Sequence, residues 1–142
     1  MNYKRVNSKI LLSLDKGDDI FESLNRVIDK ENLKCCWLSG IGAIENVVLG
    51  AYPSKLKKYV KKTFDDEYEL TNLSGNISLK NDKPFIHIHI NMSDEECNAY
   101  GGHLFSANIA VTGEIIIDII NYDLHRKKSE EIGLHLWDLN CV

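Results

Sequence analysis

The chain has 142 residues, with 17 Lys and Arg against 21 Asp and Glu, giving a formal net charge of −4 at neutral pH. That length suits one domain and can bury roughly 68–70% of the surface an unfolded chain exposes, so folding requires neither a metal nor a disulfide. The acidic balance disfavours a protein that grips nucleic acid by its phosphates, and no apolar run reaches the ~18 residues of a membrane span.

In chain order, residues 9–14 read as a strand that ends in a turn at Asp15-Lys16-Gly17. Asp18 or Asp19 then caps a helix whose residues Ile20, Phe21, Leu24, Val27 and Ile28 make one apolar stripe, ending near Asn32. From Leu33 onward the chain breaks into short β-rich runs at 34–39, 43–51, 57–64, 68–79, 84–92, 98–111 and 114–122, punctuated by glycines. Residues 126–133 read as a turn before a last strand through Leu134 and Leu136. One helix followed by many strands predicts an α+β fold with a largely antiparallel sheet. The expected domain spans 8–137, with 1–7 and 138–142 as terminal extensions. Cys35, Cys36, Cys97 and Cys141 show neither a C-x-x-C pair nor a regular framework. They read as free thiols of a soluble, cytoplasmic protein.

The most informative segment is Pro84-Phe85-Ile86-His87-Ile88-His89-Ile90-Asn91. On a strand, the three isoleucines line one face and His87, His89 and Asn91 the other. Two imidazoles then stand about 6.5–7 Å apart along the strand, a spacing that two ligands of one metal close by leaning together. A turn centred on Asp94-Glu95 would fold residues 97–103 back and bring His103 opposite the His87 neighbourhood as a third ligand. Three histidines with an open fourth position suit a divalent metal, zinc foremost. Residues 84–125 contain no Lys or Arg but six acids (Asp94, Glu95, Glu96, Glu114, Asp118 and Asp123), a local charge of −6 that favours a cation. An exposed polar strand face carrying histidines is the competing reading.

Two further features have bland counterparts. Ser39-Gly40-Ile41-Gly42 precedes a strand rather than a helix, so a bulge or turn is expected in place of a phosphate loop. Lys55, Lys57, Lys58, Lys61 and Lys62 offer one patch for an anion or nucleic acid, or else guard an edge strand against aggregation.

Taken in order, Leu38-Ser39-Gly40-Ile41-Gly42-Ala43, Leu49-Gly50, Tyr52, Tyr68-Glu69-Leu70, Leu73-Ser74-Gly75-Asn76-Ile77-Ser78, Lys83 through His89, Gly101-Gly102-His103-Leu104, Glu114 through Ile117 and Gly133-Leu134 resemble the plant and prokaryote conserved (PPC) domain. The resemblance covers about residues 8–137. It implies a mainly antiparallel sheet with one principal helix, assembly as a homotrimer, and in some members a metal held by histidines, here His87, His89 and His103. Cys97 stands where many relatives carry Gly at the loop tip. The Arg-Gly-Arg-Pro core of an AT-hook is absent from the sequence, so the resemblance is to the stand-alone prokaryotic type.

The expected function is therefore a trimeric binding module with a histidine metal site, loosely DNA-associated, with DNA or a small molecule as its ligand. The alternative is a zinc-dependent, hydrolase-type enzyme in which Glu114 or Asp94 serves as base.

Overall fold

A computed structural model describes residues 1–140, so Cys141 and the end of the 138–142 extension lie outside the described residues. The strands are β1 (Asn2–Val6), β2 (Lys9–Asp15), β3 (Cys36–Ala51), β4 (Val60–Phe64), β5 (Tyr68–Lys80), β6 (Lys83–Ser93), β7 (Ala99–Ile119), β8 (His125–Lys128) and β9 (His135–Asp138). The one helix among the described residues, α1, spans Ile20–Glu31.

The helix forms where its signals predict. Asp19 accepts a hydrogen bond from the Glu22 N–H at 2.8 Å, satisfying one of the free amides of the first turn. Asn32 ends it in the left-handed region at φ 51°, a conformation that Asn tolerates. Ile20, Leu24, Val27 and Ile28 are buried and join the same apolar core as Ile10, Leu12 and Leu14 of β2. The sheet is antiparallel except for one parallel bridge, Leu79 to His125, between β5 and β8. It runs β1-β2-β7-β3-β5-β8-β9, with β4 paired to β3 and β6 paired to both β5 and β7. The pairings β7-β3, β3-β5, β5-β6 and β6-β7 close a circuit around the core.

Several elements differ from the sequence reading. Residues 2–6 form a strand that pairs with β2, although no periodic signal marks it. Runs 34–39 and 43–51 are one sixteen-residue strand, β3, and runs 98–111 and 114–122 are one strand of twenty-one, β7. The glycines that suggested breaks are close crossings instead. A Cβ on Gly42 would lie 2.4 Å from the Thr112 carbonyl oxygen and 2.9 Å from the Gly113 Cα, so only paired glycines let the two strands run on through that point. The ladder shifts register beside them, which is the expected bulge. Residues 53–58 turn rather than extend, leaving β4 at five residues. Arg126 and Lys127, expected in a turn, lie in β8. The turn comes later, with Gly133 at φ 85° donating to the Ser129 carbonyl.

Cross-strand partners share a face, so the registers define two rows. Leu12, Ile115, Gly40, Leu73, Ile90 and Gly102 are successive partners facing the core. One residue along, Leu11, Ile116, Ser39, Ser74, His89 and His103 form the matching row on the outer face.

Candidate metal centre

The turn between β6 and β7 brings the histidines together. Asp94 organises it: its carboxylate accepts from the backbone N–H groups of Glu96 and Asn98 and from the Tyr100 hydroxyl. Cys97 sits at φ 63°, in the left-handed region that favours glycine. From there Ser93 pairs with Ala99, Asn91 with Gly101 and His89 with His103. Glycine suits position 101 because a Cβ there would lie 2.9 Å from the Ile90 carbonyl oxygen, a backbone atom that cannot swing away.

His87 and His89, on one face of β6, lean together until their ring centroids are 5.0 Å apart. His103 completes the triangle at 5.1 Å from His87 and 5.4 Å from His89. One ligand nitrogen from each lies within 4.8 Å of the others. His87 and His103 are half-buried and His89 is exposed. Burial, reinforced by the Arg126 guanidinium and the two other imidazoles, pushes His87 down to about 4. Burial, with His89 and Lys61 nearby, pushes His103 to about 4 as well. Both rings are thus neutral at neutral pH, the form that binds a metal.

The donor set fits zinc. Three imidazoles leave a fourth tetrahedral position open, whereas calcium and magnesium demand oxygen ligands that the cluster does not offer. The His103 Nδ1 is moreover a buried nitrogen with no hydrogen-bond partner among the described residues. Such an orphaned atom costs stability unless an ion or ligand satisfies it.

Arg126 is the site residue that the sequence reading missed. Its Nη2 stands 3.4 Å from the His87 Nδ1 and donates to the Asn76 Oδ1 at 2.9 Å. The Nε donates to the Ser78 Oγ at 2.7 Å and Nη1 to the His135 carbonyl at 2.9 Å. Asn76 and Ser78 are the signal that was available: two polar residues alternating on a strand that buries both of them. Beside the triad, Arg126, His87 and His103 open into a cavity of about 540 Å³ walled by Phe21, Phe85, Phe105 and the turn into β9.

The acids that made residues 84–125 look like a cation site are elsewhere in space. Asp94 is engaged in its own turn, while Asp118 pairs with Lys9 and Asp123 with Lys34 on the surface. Glu114 stands opposite Ser13 and Ile41 in the sheet. Neither Asp94 nor Glu114, the two base candidates, joins the histidine cluster or lines the cavity. What faces the histidines is basic, because sequence proximity along an antiparallel hairpin does not set which strand lies across from it.

The lysine patch also divides. Lys55, Lys57 and Lys58 lie in the 53–58 segment, exposed. Lys61 lies over the Phe105 ring at 3.7 Å and Lys62 over Phe64 at 4.6 Å, in β4, which among the described residues pairs only with β3. Cys35 and Cys36 are both buried and Cys97 is exposed; all three are free.

A curved antiparallel sheet with one helix, bearing three convergent histidines on its outer face, defines a small α+β binding domain. The chain belongs to the Plants and Prokaryotes Conserved (PCC) domain family, whose model matches residues 1–121. Among solved structures, a Bacteroides thetaiotaomicron protein provisionally described as DNA-binding is 31% identical, with a TM-score of 0.93 over 96% of each chain. An Archaeoglobus fulgidus protein described as metal-containing is 33% identical, with a TM-score of 0.84 over 96% of this chain and 98% of that one. A Pyrococcus horikoshii plant- and prokaryote-conserved protein is 28% identical, with a TM-score of 0.84 over 96% and 93%. No curated protein matches the chain.

Proposed function

We propose that the protein is a metal-dependent binding module that holds a divalent ion, zinc, on His87, His89 and His103 and assembles as a homotrimer. The observation that carries the metal reading is the convergence of three imidazole nitrogens within 4.8 Å. The similarity to a metal-containing archaeal protein supports it. Such an ion would supply positive charge and one open position for a ligand. Elemental analysis of protein purified without a metal-affinity tag tests this. One zinc per chain is expected, with a large loss in His87→Ala and in His103→Ala; unchanged metal content in both variants, or no metal in the parent, would refute the reading.

Self-association is supported by the outer sheet face, where Leu11, Trp37, Ile41 and Ile116 remain between 43% and 55% exposed on three neighbouring strands. Large apolar side chains left exposed together on one sheet face mark an interaction surface. Light scattering should return three times the 16.2 kDa chain mass. A reducing, cytoplasmic setting is supported by the free thiols of Cys35, Cys36 and Cys97.

DNA association is a second reading, favoured by the description of the Bacteroides relative and by the exposed Lys55, Lys57 and Lys58. It requires a gel shift at low salt that weakens steeply with added salt and disappears in a charge-reversed Lys57, Lys58, Lys61 and Lys62 variant. An unshifted probe at low salt would dispose of it.

A further inference from the structure

We infer that the cavity beside the histidine cluster binds a small organic monocarboxylate with an aromatic or branched apolar body, its carboxylate set between Arg126 and the metal. The inference rests on the metal reading above and names the ligand class of that site.

Charge is the first argument. Among the described residues Arg126 and Lys80 line the cavity, and no Asp or Glu does. A divalent ion on three imidazoles keeps its full charge, since none of the three ligands is a carboxylate. The Arg126 guanidinium, always cationic, stands 3.4 Å from the ring nitrogen of one of those ligands. A metal held by His87 and a guanidinium that touches the same ring would be like charges in a half-buried site, and an anion reaching both turns their repulsion into two attractions.

The second argument is the geometry of Arg126. Ser78, Asn76 and the His135 carbonyl hold the guanidinium from one side through Nε, Nη2 and Nη1. A guanidinium has five N–H donors, and a His87 ring that gives its lone pair to a metal has none for Arg126, so the three bonds leave one Nη1 and one Nη2 hydrogen for a further acceptor. A fork fixed this firmly is preorganised to receive a carboxylate.

The walls select the rest of the ligand. Phe85 lies under both cations, with Arg126 at 5.1 Å and Lys80 at 5.2 Å from its ring centroid. Phe21, Phe105, Leu104 and Leu136 complete a mostly apolar lining. At about 540 Å³ the space is in the range of small-molecule sites and far exceeds an inorganic anion. Bare phosphate would leave the aromatic walls unpartnered.

Calorimetric titration of the zinc-loaded and the EDTA-stripped protein with phenylacetate, phenylacetamide and inorganic phosphate tests the inference. Phenylacetate should bind the zinc form at least about tenfold more tightly than its neutral amide or phosphate, and stripping the metal should weaken it. Arg126→Met should lose about tenfold in phenylacetate affinity while keeping its zinc. Should that variant fail to fold, Lys80→Met carries the same comparison, with a smaller loss expected. Equal binding of acid and amide, no binding of phenylacetate at millimolar concentration, or an unchanged affinity in a folded Arg126→Met protein would overturn it. Zinc content is measured separately, so loss of the metal reading alone shows as a zinc-free protein in which acid and amide are still compared.

Discussion

His87 and His103 acquire their character from neighbours that lie far away in the chain. Each is held near 4, well below the ordinary histidine value of 6.5, chiefly by burial. In metal-free protein the consequence for stability has a definite sign. As pH falls below 6.5 the unfolded chain takes up protons at these two rings while the folded state does not until about 4, so stability present above 6.5 is lost across that window. The urea midpoint of EDTA-treated protein should therefore fall between pH 7 and 5, and a His87→Gln, His103→Gln double variant should lose less over the same interval. Equal falls in both proteins would refute the assignment. The cysteines divide in the same way. Burial pushes the Cys36 thiol up to about 12, whereas Cys97 is exposed on its turn. Iodoacetamide followed by peptide mapping should modify Cys97 in the native protein and reach Cys36 only after unfolding.

At the scale of elements, the helix was legible and the strand ends were not. Asp19 as cap and the stripe from Ile20 to Ile28 depend only on local geometry, and the structure realises both. Gly40, Gly42 and Gly113 read as breaks because a glycine carries the same letter whether it turns a chain or lets two strands touch. Which role holds depends on what lies opposite, and the Gly42 to Gly113 pairing joins residues more than seventy positions apart. Gly42→Ala should accordingly destabilise by about 2 kcal/mol or more, an overpacking cost against backbone rather than a strained dihedral. A chemical denaturation midpoint unchanged from the parent would contradict the close-approach account.

At the scale of the whole molecule, the outer row of partners links two properties. Leu11 and Ile116 at one end and His89 and His103 at the other lie on the same face of one continuous sheet. Ile41→Glu combined with Leu11→Glu places charge in the apolar end only. Light scattering should then show smaller assemblies, with the circular dichroism spectrum retained because neither side chain belongs to the core. A variant that still scatters as the parent does would exclude this face as the interface.

Alternation along Ile86 to Asn91, and the hairpin signal that follows it, sufficed to place His87, His89 and His103 together, because a strand's period of two and an antiparallel register are local rules. The same rules gave no access to Arg126. It reaches His87 only because β8 returns alongside β5, and that return is decided by burying Leu79 and Leu124 and by the hydrogen bonds that Asn76 and Ser78 have available. Charge shows the division most clearly. The net −4 and its concentration between residues 84 and 125 are properties of the sequence. The basic, aromatic cavity beside the histidines exists only in three dimensions, where strands distant in the chain set the field that a ligand meets.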